Sequence, residues 1–176
     1  MELKKPKFSP RMKLFTDLAI SDLDFWDVCC DHGYIGIHAL LSHKFSKVYF
    51  VDHIPHIMNR LNSLLLNAPL SNDFQIELQY ELLTTLGQNI NRDVEGNLII
   101  AGVSGRTIVQ ILENLEARSF LKAKRLILSP HLDQHILEDY LNSPLRKFKI
   151  ENYSIQSITE NKRIRPVYII DLKEAD

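Results

Sequence analysis

Apolar and polar positions along this chain switch between a helical period and short continuous runs, and the switches mark out its elements. From Ser9, Leu14, Phe15 and Leu18 fall on one helical face. Residues 25–30 form a short, mostly apolar run that ends at Asp31-His32-Gly33. Ile35, Ala39 and Leu40 then suggest a helix, and residues 48–51 form a second run ending at Asp52. Ile54, Ile57, Met58, Leu61, Leu64 and Leu65 follow at helical spacing, with Pro55 in the first turn, where a missing N–H costs nothing. Residues 74–80 read as a third strand, and 82–96 as a loop with one helical turn. Residues 98–101 are a fourth strand, closed by Gly102-Val103-Ser104-Gly105, and Ile108, Ile111, Leu112 and Leu115 an amphipathic helix. Residues 126–128 are a fifth strand, followed by Ser129-Pro130-His131 and a helix through Leu132, Leu137, Tyr140 and Leu141 that Pro144 helps close. Residues 149–157 and 165–172 read as two late strands joined by a polar turn around Glu160-Asn161-Lys162.

Short apolar strands alternating with amphipathic helices predict a parallel sheet covered on both faces. The last pair is too closely joined to be anything but antiparallel. The expected fold is therefore α/β: a Rossmann-like, seven-stranded, mostly parallel sheet with helices on both faces and a C-terminal antiparallel hairpin.

Composition narrows the function classes. The chain has 176 residues, 45% of them hydrophobic and 24% charged, which suits one globular domain over 1–176. Its net charge of −1 carries no global nucleic-acid signature. The local bias is N-terminal: Lys4, Lys5, Lys7, Arg11 and Lys13 stand against Glu2. Residues 1–20 are thus read as a basic segment and helix, either a solvated terminus or a polyanion contact. No apolar run approaches the roughly 18–20 residues that span a bilayer. The N-terminus lacks the apolar stretch of a secretory signal. The two cysteines, Cys29 and Cys30, are adjacent, so a reducing cytoplasm is the simplest expectation.

In an open α/β sheet, ligands bind beyond the carboxyl ends of the strands, and the unusual residues collect there. Gly33, Gly36, Gly102 and Gly105 follow the first and fourth strands. They are either ordinary tight turns or places where a ligand meets backbone. Asp52 ends the second strand, where a carboxylate accepts from ribose hydroxyls or caps the next helix. The segment after the first strand is not G-x-G-x-x-G, and there is no G-K-[ST], so pyrophosphate cofactors are disfavoured. A nucleoside cofactor without phosphates fits better, and S-adenosylmethionine is the common one. Gly102-Val103-Ser104-Gly105 is a poor nucleophile elbow, because Arg106 stands where the second glycine belongs. His53/His56 and His131/His135 lack a third ligand, so no metal is expected. The two cysteines read as buried filler.

Four motifs, in order and at matching spacing, carry a resemblance. They are Phe8-Ser9-Pro10-Arg11-Met12, then Asp27-Val28-Cys29-Cys30-Asp31-His32-Gly33-Tyr34-Ile35-Gly36, then Ile100-Ala101-Gly102-Val103-Ser104-Gly105, and Arg125-Leu126-Ile127-Leu128-Ser129-Pro130-His131. In these the chain resembles the bacterial tRNA (adenine-22-N1)-methyltransferase family of class I S-adenosylmethionine-dependent enzymes. The resemblance implies methyl transfer from S-adenosylmethionine to adenine N1 of a tRNA. It implies a target-base role for Asp31, His32 and Tyr34. Cofactor contacts fall on Asp27, Cys29, Gly33, Asp52, Glu81, Ala101 and Gly102. RNA contacts fall on Lys4, Lys5, Lys7, Arg11, Ser104, Gly105, Pro130 and His131. Asp31 and Asp52 keep their alternative as helix caps, and His32 and Tyr34 theirs as core.

The departures are specific. Cys29 replaces the family's first glycine, Glu81 is a shifted substitute for an acidic third-strand motif, Gly36 replaces proline and His131 replaces asparagine. The family also carries a C-terminal coiled-coil extension implicated in tRNA binding, whereas this sequence stops at Asp176. The expectation is a divergent member lacking that extension, with a partner chain as one replacement and no membrane partner. The alternative is a catalytically weak or silent relative that binds RNA or a protein.

Overall fold

A computed structural model describes residues 8–67, 79–160 and 162–173. Seven strands form one sheet: β1 (Phe25–Val28), β2 (Val48–Asp52), β3 (Tyr80–Thr84), β4 (Val94–Ala101), β5 (Leu121–Ser129), β6 (Ile150–Glu160) and β7 (Arg163–Leu172). Their spatial order is β3-β2-β1-β4-β5-β7-β6. The first five pair in parallel, and β7 runs antiparallel to both β5 and β6. The strand order reverses between β1 and β4, which makes the carboxyl ends of those strands the expected ligand crevice.

Helices α1 (Pro10–Leu18), α2 (Tyr34–Ser42), α3 (Pro55–Asn67), α4 (Gly105–Ala117) and α5 (Gln134–Asn142) cover the sheet. Strand side chains alternate between the faces. Ile99, Ile127 and Ile169 pack with Phe15, Ile37 and Met58 of α1–α3. Leu98, Ile100, Leu126 and Leu128 pack with Ile108, Leu112 and Leu137 of α4 and α5. The helix starts follow local chemistry. Ser9 caps α1 by accepting from the Met12 N–H at 3.3 Å, with Pro10 leading the first turn. Among the described residues no helix is long and apolar enough to cross a membrane.

The expected α/β class and hairpin are present, with shifted edges. Most of the stretch expected as the third strand, 74–80, lies outside the described residues, and β3 runs on to Thr84. β4 starts at Val94 and β5 at Leu121, both earlier than the apolar runs suggest. Polar residues interrupt the pattern there, namely Glu95, Lys122 and Lys124, and a register shift between Gly96 and Asn97 breaks it further. Gly96 sits at φ +75°, and a Cβ on it would meet the Asp24 carbonyl oxygen at 2.5 Å, so this kink admits only glycine.

Candidate functional site

The carboxyl end of β1 leads into a loop with an unusual backbone. Cys29, Asp31 and Gly33 have φ of +62°, +49° and +70°. Left-handed backbone costs a non-glycine residue roughly 1–2 kcal/mol, so this loop needs support from outside. Two carboxylates supply it. Asp52, at the end of β2, accepts from the Asp31 N–H at 3.0 Å through Oδ2 and from the Ile54 N–H at 3.1 Å through Oδ1. Asp27, inside β1, accepts from the Gly36 N–H at 2.8 Å and ties the loop to α2.

These straps aim the loop's side chains outward. Asp31, His32 and Tyr34 are all exposed, and the His32 and Tyr34 rings meet edge to face at 6.0 Å. Cys29 is half-buried beside the two carboxylates. Burial first, then the charges of Asp52 and Asp27, push its thiol up to about 12. Cys30 is buried against Met58 and its thiol is pushed up too. Neither forms the thiolate a nucleophile needs.

On the neighbouring strand, Gly102 has φ +80° and is exposed, and a Cβ built on it meets nothing within 4 Å. Its conformation calls for glycine while its surroundings stay open, as a ligand approach requires. The β5 end is laced to the β4 end: the Gly102 N–H donates to the Ser129 carbonyl at 3.1 Å and the His131 N–H to the Val103 carbonyl at 3.0 Å. His131 is exposed at this rim. The tips of β1, β2, β4 and β5 thus gather Asp31, His32, Tyr34, Gly102 and His131 as exposed residues along one edge, with Cys29 and Ala101 half-buried and Asp52 buried behind them.

Other expected site residues are placed differently. Asp27 is buried, and burial, reinforced by the Asp52 charge, pushes its carboxyl up to about 7 against the Gly36 hydrogen bond. It positions the loop from behind and does not reach the rim. Gly33 is buried, and a Cβ there would lie 2.8 Å from Leu61 and 3.2 Å from Phe50, so packing explains it. Gly105 is buried too, its Cβ position 2.1 Å from the Asp133 carbonyl oxygen. Ser104 caps α4, accepting from the Thr107 N–H at 3.1 Å. Pro130 is buried.

Glu81 is the clearest misplacement. It lies near the amino end of β3, where it pairs with Lys47 at 2.8 Å and Arg92 at 2.7 Å. The residues that reach the rim from this strand are Thr84, Thr85 and Leu86, and the Thr85 N–H donates to the Asp52 carbonyl at 2.9 Å. The polar pair after Leu82-Leu83 was the available signal for the strand end. Arg11 is engaged internally: it pairs with Glu160 at 3.1 Å, donates to Ser129 Oγ at 3.2 Å and lies over the Phe15 ring. Lys4, Lys5 and Lys7 lie outside the described residues. Among the described residues no group of three or more His, Cys, Asp or Glu is placed to hold a metal ion.

Residues 8–167 match a family described as a methyltransferase domain. No curated protein sequence matches the chain. Among solved structures it is similar to the B. subtilis m1A22 tRNA methyltransferase TrmK, with a TM-score of 0.74 at 17% identity over 97% of this chain and 68% of that one. It is also similar to M. capricolum TrmK in complex with S-adenosyl-homocysteine, at 0.69 and 17% over 95% and 70%. An rRNA methylase from Streptococcus thermophilus aligns at 0.57 and 16% over 97% and 99%. At these identities the likeness is one of fold.

Proposed function

The chain belongs to the methyltransferase-domain family, and from that premise we propose that it is an S-adenosylmethionine-dependent RNA methyltransferase acting on adenine N1 of a tRNA. The observation that carries this reading is the rim itself. A carboxylate at the end of β2, an open left-handed glycine at the end of β4 and an exposed Asp-His-x-Tyr element after β1 converge at the topological switch point.

The donor set suits the cofactor. Asp52 uses one lone pair on each oxygen for the backbone, which leaves acceptor capacity for ribose hydroxyls. Gly102 leaves room for a ligand against the backbone. When bound, the cofactor would supply a methyl group on a sulfonium; the adenine N1 lone pair would form the new N–C bond to that methyl in line, and the C–S bonding pair would leave with sulfur as the neutral thioether. No proton has to leave N1 first, so the protein needs no strong base. Its work is proximity and orientation, worth several kcal/mol. N1 lies on the pairing edge of the base, so the adenine must be splayed out of any helix. The exposed His32 and Tyr34 offer rings for it to stack on, and Asp31 a carboxylate to accept from its exocyclic amine or to hold the cofactor's ammonium. His131 faces the same rim and has both a donor and an acceptor to offer.

Calorimetric titration with S-adenosylmethionine and S-adenosylhomocysteine tests the cofactor half. Mass analysis of tRNA nucleosides after incubation tests the transfer. Saturable one-site binding and a methyladenosine product support the proposal; methylation of rRNA or a small molecule instead would correct its substrate. A second reading, a methyltransferase-fold protein that binds RNA or a partner chain without efficient transfer, rests on Cys29. A side chain at φ +62° adds a Cβ to the loop at the end of β1, beside the rim. Absence of binding at millimolar ligand would select that reading.

A further inference from the structure

Opposite the carboxyl-end rim, a cavity of about 600 Å³ opens at the amino end of β5. Its lining holds Lys122 and Lys124 from β5, Lys147 and Lys149 from the segment between α5 and β6, and Lys173 just beyond β7. One described carboxylate lines it, that of Glu116. That carboxylate is spent on architecture: Oε1 accepts from the Lys147 and Phe148 N–H groups at 2.9 and 2.8 Å, and Oε2 from the Tyr140 hydroxyl at 2.7 Å. Arg146 folds back to donate to the Leu141 carbonyl at 3.2 Å and lies 4.8 Å from the Phe148 ring centre. The Lys173 N–H donates to the Lys149 carbonyl at 2.9 Å. The backbones that carry Lys147, Lys149 and Lys173 are therefore fastened together before any ligand arrives.

The neighbouring surface has the opposite sign. A second cavity shares Lys122 and Lys124, and its other charged lining residues are Asp22, Asp24, Asp93 and Glu95. A polyanion is repelled from that side and directed toward Lys147, Lys149 and Lys173. In a chain whose net charge is −1, this sharply divided surface is not a diffuse basic coat. Lysines in this arrangement fit phosphates as point charges and carry no base readout.

We propose that the groove is a phosphate-backbone docking surface for the body of a folded RNA whose target base enters the rim at the other end of β5. The inference rests on the methyltransferase reading above and adds where the rest of the substrate is held. β5 supplies the ruler: its nine residues run about 26 Å at ~3.3 Å per residue from the outer end of the groove to the rim, the four from Leu121 to Lys124 lining the groove itself. A free nucleoside or a short oligonucleotide fills only one of the two sites, whereas a folded RNA reaches both.

The test is the doubly reversed variant Lys147→Glu/Lys173→Glu, with Lys147→Ala/Lys173→Ala as its milder counterpart should the first fail to fold. Binding of a full-length tRNA transcript is measured across a salt series. S-adenosylmethionine titration and methyl transfer to a short adenine-containing oligonucleotide are measured alongside. The expected result is weaker tRNA binding and a log–log salt slope shallower by about 1.5, from two lost phosphate contacts, with cofactor affinity and oligonucleotide turnover unchanged. An unchanged slope in a variant that still methylates tRNA overturns the docking surface and leaves the function standing. A wild-type protein that neither binds nor methylates tRNA overturns both.

Discussion

The loop after β1 turns through Cys29, Asp31 and Gly33, at φ +62°, +49° and +70°, whereas the loop after β4 has positive φ only at Gly102, at +80°. Both leave a parallel strand and enter a helix. The β4 loop is self-sufficient: its strained position is a glycine and its own Ser104 caps the helix. The β1 loop places two L-residues in the unfavourable region and is held by carboxylates from elsewhere, Asp27 beneath it and Asp52 beside it. It is also the loop that exposes Asp31, His32 and Tyr34. Strain and external support coincide with the residues proposed to meet the substrate, a pattern expected of ligand-binding loops.

The largest effect that would break this contrast concerns Asp27. Burial, aided by Asp52, raises its carboxyl from 3.8 to about 7. Between those values the folded chain keeps a proton that the unfolded chain has lost. Stability therefore falls as pH rises through the window, by up to about 4 kcal/mol, and levels off above it. Asp27→Asn keeps an acceptor for the Gly36 N–H and removes the titration. Urea melts at about pH 4.5 and 7.5 should show the wild type losing stability relative to the variant; parallel pH dependence would mean that Asp27 is not held as described.

Next in size is Gly105→Ala, which sets a Cβ 2.1 Å from the Asp133 carbonyl oxygen. Overpacking against backbone should cost about 3 kcal/mol, read as a lower melting temperature. A neutral result would show that the β4 loop tolerates what the geometry forbids. Asp52→Ala strands the Asp31 and Ile54 N–H groups and should cost about 2 kcal/mol, with a parallel loss of S-adenosylmethionine binding in calorimetry. Retained affinity would restrict Asp52 to a structural strap.

The smallest pair sharpens the comparison most directly. Cys29→Gly should stabilise the chain by about 1 kcal/mol and tighten cofactor binding, because it relieves a left-handed L-residue. Gly102→Ala should destabilise by a similar amount through conformation alone, since nothing lies within 4 Å of the added methyl. Two changes of the same sign would show that the loops do not differ in the way their backbones suggest.

The sheet was legible in the chain because burial imposes its period locally. A short run such as Leu98-Ile99-Ile100, rich in β-branched residues and closed by glycine, reads as a strand covered on both faces, and it is fully buried. The rim was legible in outline for the same reason: strand ends are where apolar runs stop, and Asp31, Asp52 and Gly102 stand there. Strand edges escaped wherever lysines or a glycine bulge broke the pattern, as in Lys122-Ala123-Lys124.

The sequence by itself determined the class of fold, the elements and the end of the sheet at which the candidate chemistry gathers, because short-range periodicity encodes which face of each element is dry. Only the tertiary structure decided what each polar residue does there. Asp27 and Asp31 lie four positions apart, yet one is buried under α2 and the other faces solvent. Glu81 is drawn to Lys47 and Arg92 at the wrong end of its strand. Arg11 is claimed by Glu160, a partner 149 residues away. The role of a charged side chain depends on which opposite charges and N–H groups the fold brings within about 3 Å of it. That depends on register and packing between distant segments, which no local pattern records.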